Sequence, residues 1–134
     1  MKVLSILALY FTAVSAIVSD CSNGASVFKV TSMSFTPDPM IKSQNSTLLL
    51  SIAVPEVVTD GTATYTTTYN FIPFSPTVEA LCGVTIPCPV TIGNLDTYSS
   101  FPADSSLSGS IQVKIEWKDQ NARQLLCILI KTRV

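Results

Sequence analysis

The stretch Leu81-Cys82-Gly83-Val84-Thr85-Ile86-Pro87-Cys88-Pro89 limits the fold more than any other part of the chain. Five residues separate Cys82 from Cys88, and Pro87 and Pro89 flank the second cysteine. Proline lacks an amide hydrogen and its ring clashes with the preceding helical turn, so no helix runs through this segment. The spacing suits a small disulfide loop at the edge of a sheet. Downstream, Ile111, Val113, Ile115 and Trp117 alternate with Gln112, Lys114 and Glu116. That period of two is the pattern of a half-buried strand, one face of which meets a core or a ligand.

The chain opens on Met1-Lys2 and an uncharged run to Val14, followed by Ser15-Ala16. This is the pattern of a secretory leader over residues 1–16, cut after Ala16, and the apolar run is shorter than the roughly 20 residues of a membrane span. A single soluble domain over residues 17–134 is expected to remain. Its four cysteines, Cys21, Cys82, Cys88 and Cys127, read as disulfides rather than metal ligands. Three pairings can be drawn. The short spacing favours Cys82 with Cys88, which leaves Cys21 to meet Cys127.

Between the cysteines the chain reads as short strands and breaks. From Ala25 to Phe35 the apolar phase moves from Phe28 and Val30 to Met33 and Phe35, the mark of a bulged strand. Thr36-Pro37-Asp38-Pro39 stops it, and Asn45-Ser46-Thr47 is a glycosylation sequon. Thr47 to Val54 lacks a polar face and is expected to be central. Asp60-Gly61 signals a turn, after which Ala63, Tyr65, Tyr69 and Phe71 alternate with threonines, a strand preference. Leu95 to Phe101 reads as an edge strand, Lys118 to Ala122 as a polar hairpin turn, and the strand from Arg123 to Thr132, apolar on both faces, as interior. About seven short strands with regularly spaced turns predict an all-β sandwich.

Composition excludes several kinds of chemistry. The net charge is −1 and only 13% of residues are charged, so nothing marks a nucleic-acid surface. The chain contains no histidine, which removes Ser-His-Asp and Cys-His nucleophile systems and histidine metal sites. No cofactor motif is present. The carboxylate pairs Asp96 with Asp104 and Glu116 with Asp119 read as solvated charges, and no catalytic residue is assigned. The aromatic, proline-broken segment from Tyr69 to Pro76 cannot pair fully in a sheet and could splay the edges of a sandwich.

These residues resemble the ML-domain family, the MD-2-related lipid-recognition proteins, which include Niemann-Pick type C2-like sterol carriers and phosphatidylglycerol/phosphatidylinositol transfer proteins. Cys21, Cys88-Pro89-Val90 with Gly93, Glu116-Trp117, Asp119 and Leu125-Leu126-Cys127 carry the likeness in order and spacing. It implies an immunoglobulin-like sandwich with a lipid cavity between its sheets, and the pairs Cys21–Cys127 and Cys82–Cys88. Thr36-Pro37-Asp38-Pro39 stands where sterol carriers have a third bridge, which is similar to the phospholipid-transfer branch. Phe74, eight residues before Cys82, matches a pocket-lining phenylalanine. Pro102-Ala103 and Leu107-Ser108-Gly109 depart from the sterol carriers' Pro-Val and Tyr-Pro.

The resemblance thus implies a secreted or endolysosomal carrier of phospholipid or sterol, monomeric, touching membranes transiently. The expected lipid-binding residues are Phe74, Tyr69, Phe71, Val113, Ile115 and Trp117, with Asn45 as the glycosylation site. The alternative is a recognition module that presents lipid, or its own surface, to a receptor without transfer. Any pH switch would use carboxylates such as Asp38, Glu56 or Glu79.

Overall fold

The alternation read at residues 111–117 extends over a ten-residue strand, Ser110–Asp119, whose inward side chains Ile111, Val113, Ile115 and Trp117 are buried. It belongs to a computed structural model that describes residues 16–38, 40–102 and 104–134. All of the expected leader except Ala16 lies outside the described residues, as do Pro39 and Ala103.

Among the described residues nine strands follow one another: β1 (Ile17–Asp20), β2 (Lys29–Thr36), β3 (Asn45–Val54), β4 (Gly61–Tyr69), β5 (Ile72–Pro73), β6 (Thr77–Ala80), β7 (Gly93–Pro102), β8 (Ser110–Asp119) and β9 (Gln124–Arg133). They form two antiparallel sheets. The larger has the order β1-β9-β8-β4-β5 with β6 also on β4; the smaller has the order β2-β3-β7. The count exceeds the expected seven because a four-residue strand, β1, starts directly after the expected cleavage point and because the strand beyond β4 is broken into β5 and β6.

Local sequence accounts for most of this. β3 lies between β2 and β7, so its backbone is paired on both sides. The phase slip in β2 is a register shift between Val30 and Ser32. β9 has no polar face because both of its faces are covered. Leu126, Ile128 and Ile130 lie beside Trp117, Ile115 and Val113 of β8 in the core. On the opposite face, Leu125 and Cys127 are covered where Val27 and Phe28 donate backbone N–H bonds to the carbonyls of Gln124 and Leu125.

Two turn residues behave differently from the sequence expectation. Asp60-Gly61 makes no hairpin, since β3 and β4 lie in different sheets. Gly61 instead opens β4 against β8, where a Cβ would overlap the Lys118 carbonyl oxygen. Asp119, expected as a solvated charge, is 8% exposed. Its carboxylate accepts the backbone N–H groups of Asn121 and Arg123 at 2.9 Å and the Arg123 Nε at 3.0 Å. The hairpin therefore folds around this side chain, and Arg123 also pairs with Glu56 from the β3–β4 crossover.

The disulfides join Cys21 to Cys127 and Cys82 to Cys88, spanning 106 and 6 residues. In the chain-entropy view, replacing the first pair by alanine should cost about 4–5 kcal/mol and the second about 2 kcal/mol. Urea denaturation of the two double variants measures the difference, and an equal or larger loss from the short loop would contradict this ranking.

Candidate functional site

Burial is uneven across the sandwich. Leu48, Leu50 and Ile52 of β3 and the inner residues of β8 and β9 are covered. The inner side chains at the opposite side, Tyr65, Thr67 and Tyr69 of β4 and Leu95, Ser99 and Phe101 of β7, are only half-buried. Here the sheets are not closed on each other. Among the described residues, β7 has no strand partner on its outer edge. The outer edge of β4 is covered in two pieces, by β6 along Thr62 to Tyr65 and by β5 at Thr68 and Tyr69. Phe74-Ser75-Pro76 interrupts that cover because proline donates no ladder bond, and only Phe74 N–H reaches the Thr67 carbonyl, at 2.9 Å.

Two adjoining cavities fill the gap. The first, about 260 Å³, is an apolar slot. Ile111 and Val113 form its floor, Tyr69 and Phe74 one wall, Phe101 another, and Met40 and Leu107 reach in from loops. The Tyr69 hydroxyl donates to the Ser108 carbonyl and accepts the Ser108 N–H, both at 2.8 Å, which holds the Leu107 loop over the slot. Asn70 adds bonds to the Ser108 carbonyl and the Ser110 N–H. Gly109, with φ 115°, passes so close to Asn70 that a Cβ would overlap its Oδ1.

The second cavity, about 410 Å³, shares Thr67, Phe101 and Val113 with the slot but is lined chiefly by hydroxyls. Tyr65 and Thr67 come from β4, Thr77 and Glu79 from β6, Thr85 from the disulfide loop, and Ser99 and Ser100 from β7, with exposed Tyr98 and Val84 also lining it. Thr85 Oγ1 lies 2.9 Å from Glu79 Oε1 and donates to it. Burial pushes the Tyr65 phenol above its ordinary value, and the negative charge of Glu79 adds to the effect. Among the described residues, no lysine or arginine lines either cavity.

The expected lipid-binding residues divide into three groups. Phe74, Tyr69 and Val113 line the apolar slot together. Ile115 and Trp117, each 2% exposed, lie in the packed core and line neither cavity. Phe71, in a turn with φ 68°, is 86% exposed and borders a separate groove with Ile17, Lys131 and Arg133. Asn45 is exposed at the first position of β3. Sequence reasoning passed over Ile111, although it shares the Val113 alternation. It also passed over Phe101, Met40, Leu107 and the hydroxyls, which come together only through tertiary folding.

These features define a β-sandwich whose sheets part at one side around an apolar slot and a polar chamber. Residues 15–134 match the family model of the ML domain, and the chain belongs to that family. Two proteins of Dictyostelium discoideum, both named "putative phosphatidylglycerol/phosphatidylinositol transfer protein", are similar to it. One is 27% identical over 127 residues, covering 92% of this chain and 89% of that protein. The other is 27% identical over 120 residues, covering 87% and 79%. The fold is that of a Niemann-Pick type C2 protein from Japanese carpenter ant, with TM-score 0.66 at 13% identity over 87% of this chain and 98% of that one. Chicken MD-1 in complex with lipid IVa is also similar, with TM-score 0.60 at 11% identity over 88% of each chain. The sandwich is thus immunoglobulin-like, with the two disulfides in place.

Because Tyr65 resists ionisation in the folded state, it favours folding up to its ordinary value of 10.0, and that contribution declines as pH rises further. In an ultraviolet phenolate titration, Tyr65→Phe should remove a component that ionises above that value; loss of an ordinary component instead would contradict the burial argument.

Proposed function

We propose that this protein binds a lipid between its sheets and carries it between membranes, the cargo being a phospholipid of the phosphatidylglycerol or phosphatidylinositol kind or a sterol. The observation that carries the reading is the apolar slot adjoining a polar chamber on the open side of the sandwich. An acyl chain or ring system leaving water gains about 25 cal/mol per Å² buried, and Phe74, Phe101, Leu107, Ile111 and Val113 offer it apolar contact. The polar end of the lipid stays among hydroxyls. Family membership and the names of the two relatives support the same assignment.

Membrane contact follows from the same edge. Phe71 in the turn, Ile72 in β5 and Phe74 directly after it are 86%, 61% and 53% exposed, and Phe74 also lines the slot. A cluster of exposed apolar side chains beside a cavity mouth is suited to shallow insertion among lipids. The protein works as a monomer without catalysis or cofactor, in a secreted or endolysosomal compartment where its disulfides persist. Asn45 stands exposed for glycosylation.

The test is to express the secreted chain, extract it with organic solvent and identify the lipid by mass spectrometry, then to follow lipid movement between donor and acceptor vesicles. A defined lipid at about one per chain and measurable transfer are expected. Binding without transfer would favour a receptor-recognition module that presents lipid, and an empty protein would remove the carrier reading and favour a module that presents its own surface. Phe74→Asp places a charge at the slot while leaving the core intact, and should lower lipid loading by about tenfold or more with little change in melting temperature.

A further inference from the structure

We propose that the outer face of the three-stranded sheet is a docking track for an N-glycan on Asn45, with Tyr98 and Leu49 as the platform on which a sugar ring stacks. The assignment rests on Asn45 being glycosylated and is independent of the lipid cargo. Along β3 the side chains of Asn45, Thr47, Leu49 and Ser51 point away from the core, while Ser46, Leu48, Leu50 and Ile52 between them are buried. The outward residues therefore lie in one line. Cross-strand pairing sets Thr36 and Ser100 beside Thr47, Ser34 and Tyr98 beside Leu49, and Ser32 and Asp96 beside Ser51. The face is thus one apolar row between hydroxyl rows, with Tyr98 78% and Leu49 46% exposed.

That pattern suits a carbohydrate. A pyranose carries apolar C–H groups on its ring faces and hydroxyls on its rim. The C–H groups match the negative face of an aromatic ring, and the rim hydroxyls match serine and threonine, which both donate and accept. A depression of about 460 Å³ continues from Leu49 and Tyr98 to Ser51 and Asp96. There Asp96 Oδ1 accepts from Ser51 Oγ at 2.7 Å and from Asn94 Nδ2 at 3.0 Å, and its second oxygen can accept from a sugar hydroxyl. Among the described residues no cation lines the depression, so an acidic membrane gains no ion pair there. Three strands about 4.8 Å apart make a face only about 14 Å wide. That is narrow for a stable protein interface, which covers about 800 Å² per partner.

The chain itself offers the nearest attachment point for sugar. Asn45 is exposed on the same strand and the same face, and Leu49 lies about 13 Å further along β3 at the usual rise. The linked pair of N-acetylglucosamine rings that begins an N-glycan spans that distance. The first ring then covers Thr47 and Ser100, and the second reaches Tyr98.

The experiment secretes the intact protein from a eukaryotic host and reads the occupancy of Asn45 from the intact mass. Hydroxyl-radical footprinting then compares the full glycoform with protein trimmed enzymatically to a single N-acetylglucosamine and with Asn45→Gln. An occupied Asn45 is expected, with Tyr98 oxidised several-fold more slowly in the full glycoform than in the other two. Phe71, which lies beside the lipid slot, should be oxidised equally in all three. Thr47→Ala destroys the sequon but keeps Asn45, and it should expose Tyr98 as Asn45→Gln does. An unoccupied Asn45 would overturn both the glycosylation and the docking. An occupied Asn45 with Tyr98 equally reactive in every form would overturn the docking alone. Protection of Tyr98 in Asn45→Gln, with a doubled mass in sedimentation, would overturn it in favour of a second copy of the chain on this face.

Discussion

The two sheets differ in width, six strands against three, and the space between them depends on that inequality. A narrow sheet laid over a wide one can cover the wide sheet's inner face fully only where its own central strand lies. Leu48, Leu50 and Ile52 of β3 and Ile115, Ile128 and Ile130 of the larger sheet are accordingly buried. Toward β4 on one layer and β7 on the other, burial falls to half. Residue type follows this gradient. Most covered inner positions of β3, β8 and β9 hold Leu, Ile, Val or Trp, with Ser46 of β3 an exception, whereas inner positions of the half-covered strands include Tyr65, Thr67 and Ser99. A hydroxyl sealed in a dry core without a partner would cost about 1–3 kcal/mol. On the open side, solvent or a bound head group can satisfy it.

This gradient also sets what could be read before the fold was known. Strand identity, the β2 bulge, the central place of β3 and the interior place of β9 each follow from a local pattern, because alternation and phase slips are written in consecutive residues. Depth along a strand is not. Ile111, Val113, Ile115 and Trp117 have the same alternation, yet Ile111 and Val113 line the slot while Ile115 and Trp117 are packed core. The difference is made by which residues of the other layer lie opposite. Asp119 looked like any turn carboxylate, since its partners Asn121 and Arg123 become visible only in the closed hairpin. The chamber was equally hidden: its hydroxyls come from β4, β6, β7 and the disulfide loop, which are separated by up to several tens of residues.

The fasteners of the sandwich are concentrated away from the slot. Asp119 ties the β8–β9 hairpin, and Arg123 reaches from it to Glu56 on the β3–β4 crossover. Val58 pairs with Val90, joining that crossover to the segment after the disulfide loop. Glu116, one residue before Trp117, lies beside Cys127, so the long disulfide also acts at this half of β8. The exposed Glu56–Arg123 pair contributes little by itself, about 0–1 kcal/mol. Its role is geometric, since it joins loops that enter different sheets. At the other end of β8, Ile111 faces the slot, and the wall is held by the Phe74 N–H bond to Thr67 and by the bonds of Tyr69 and Asn70 to Ser108 and Ser110. Segments with few buried contacts open at lower free energy than the core. The half-buried side of the sandwich, with Phe71, Ile72 and Phe74 exposed beside it, is therefore the part with the fewest buried contacts, and the Trp117 end is the part with the most.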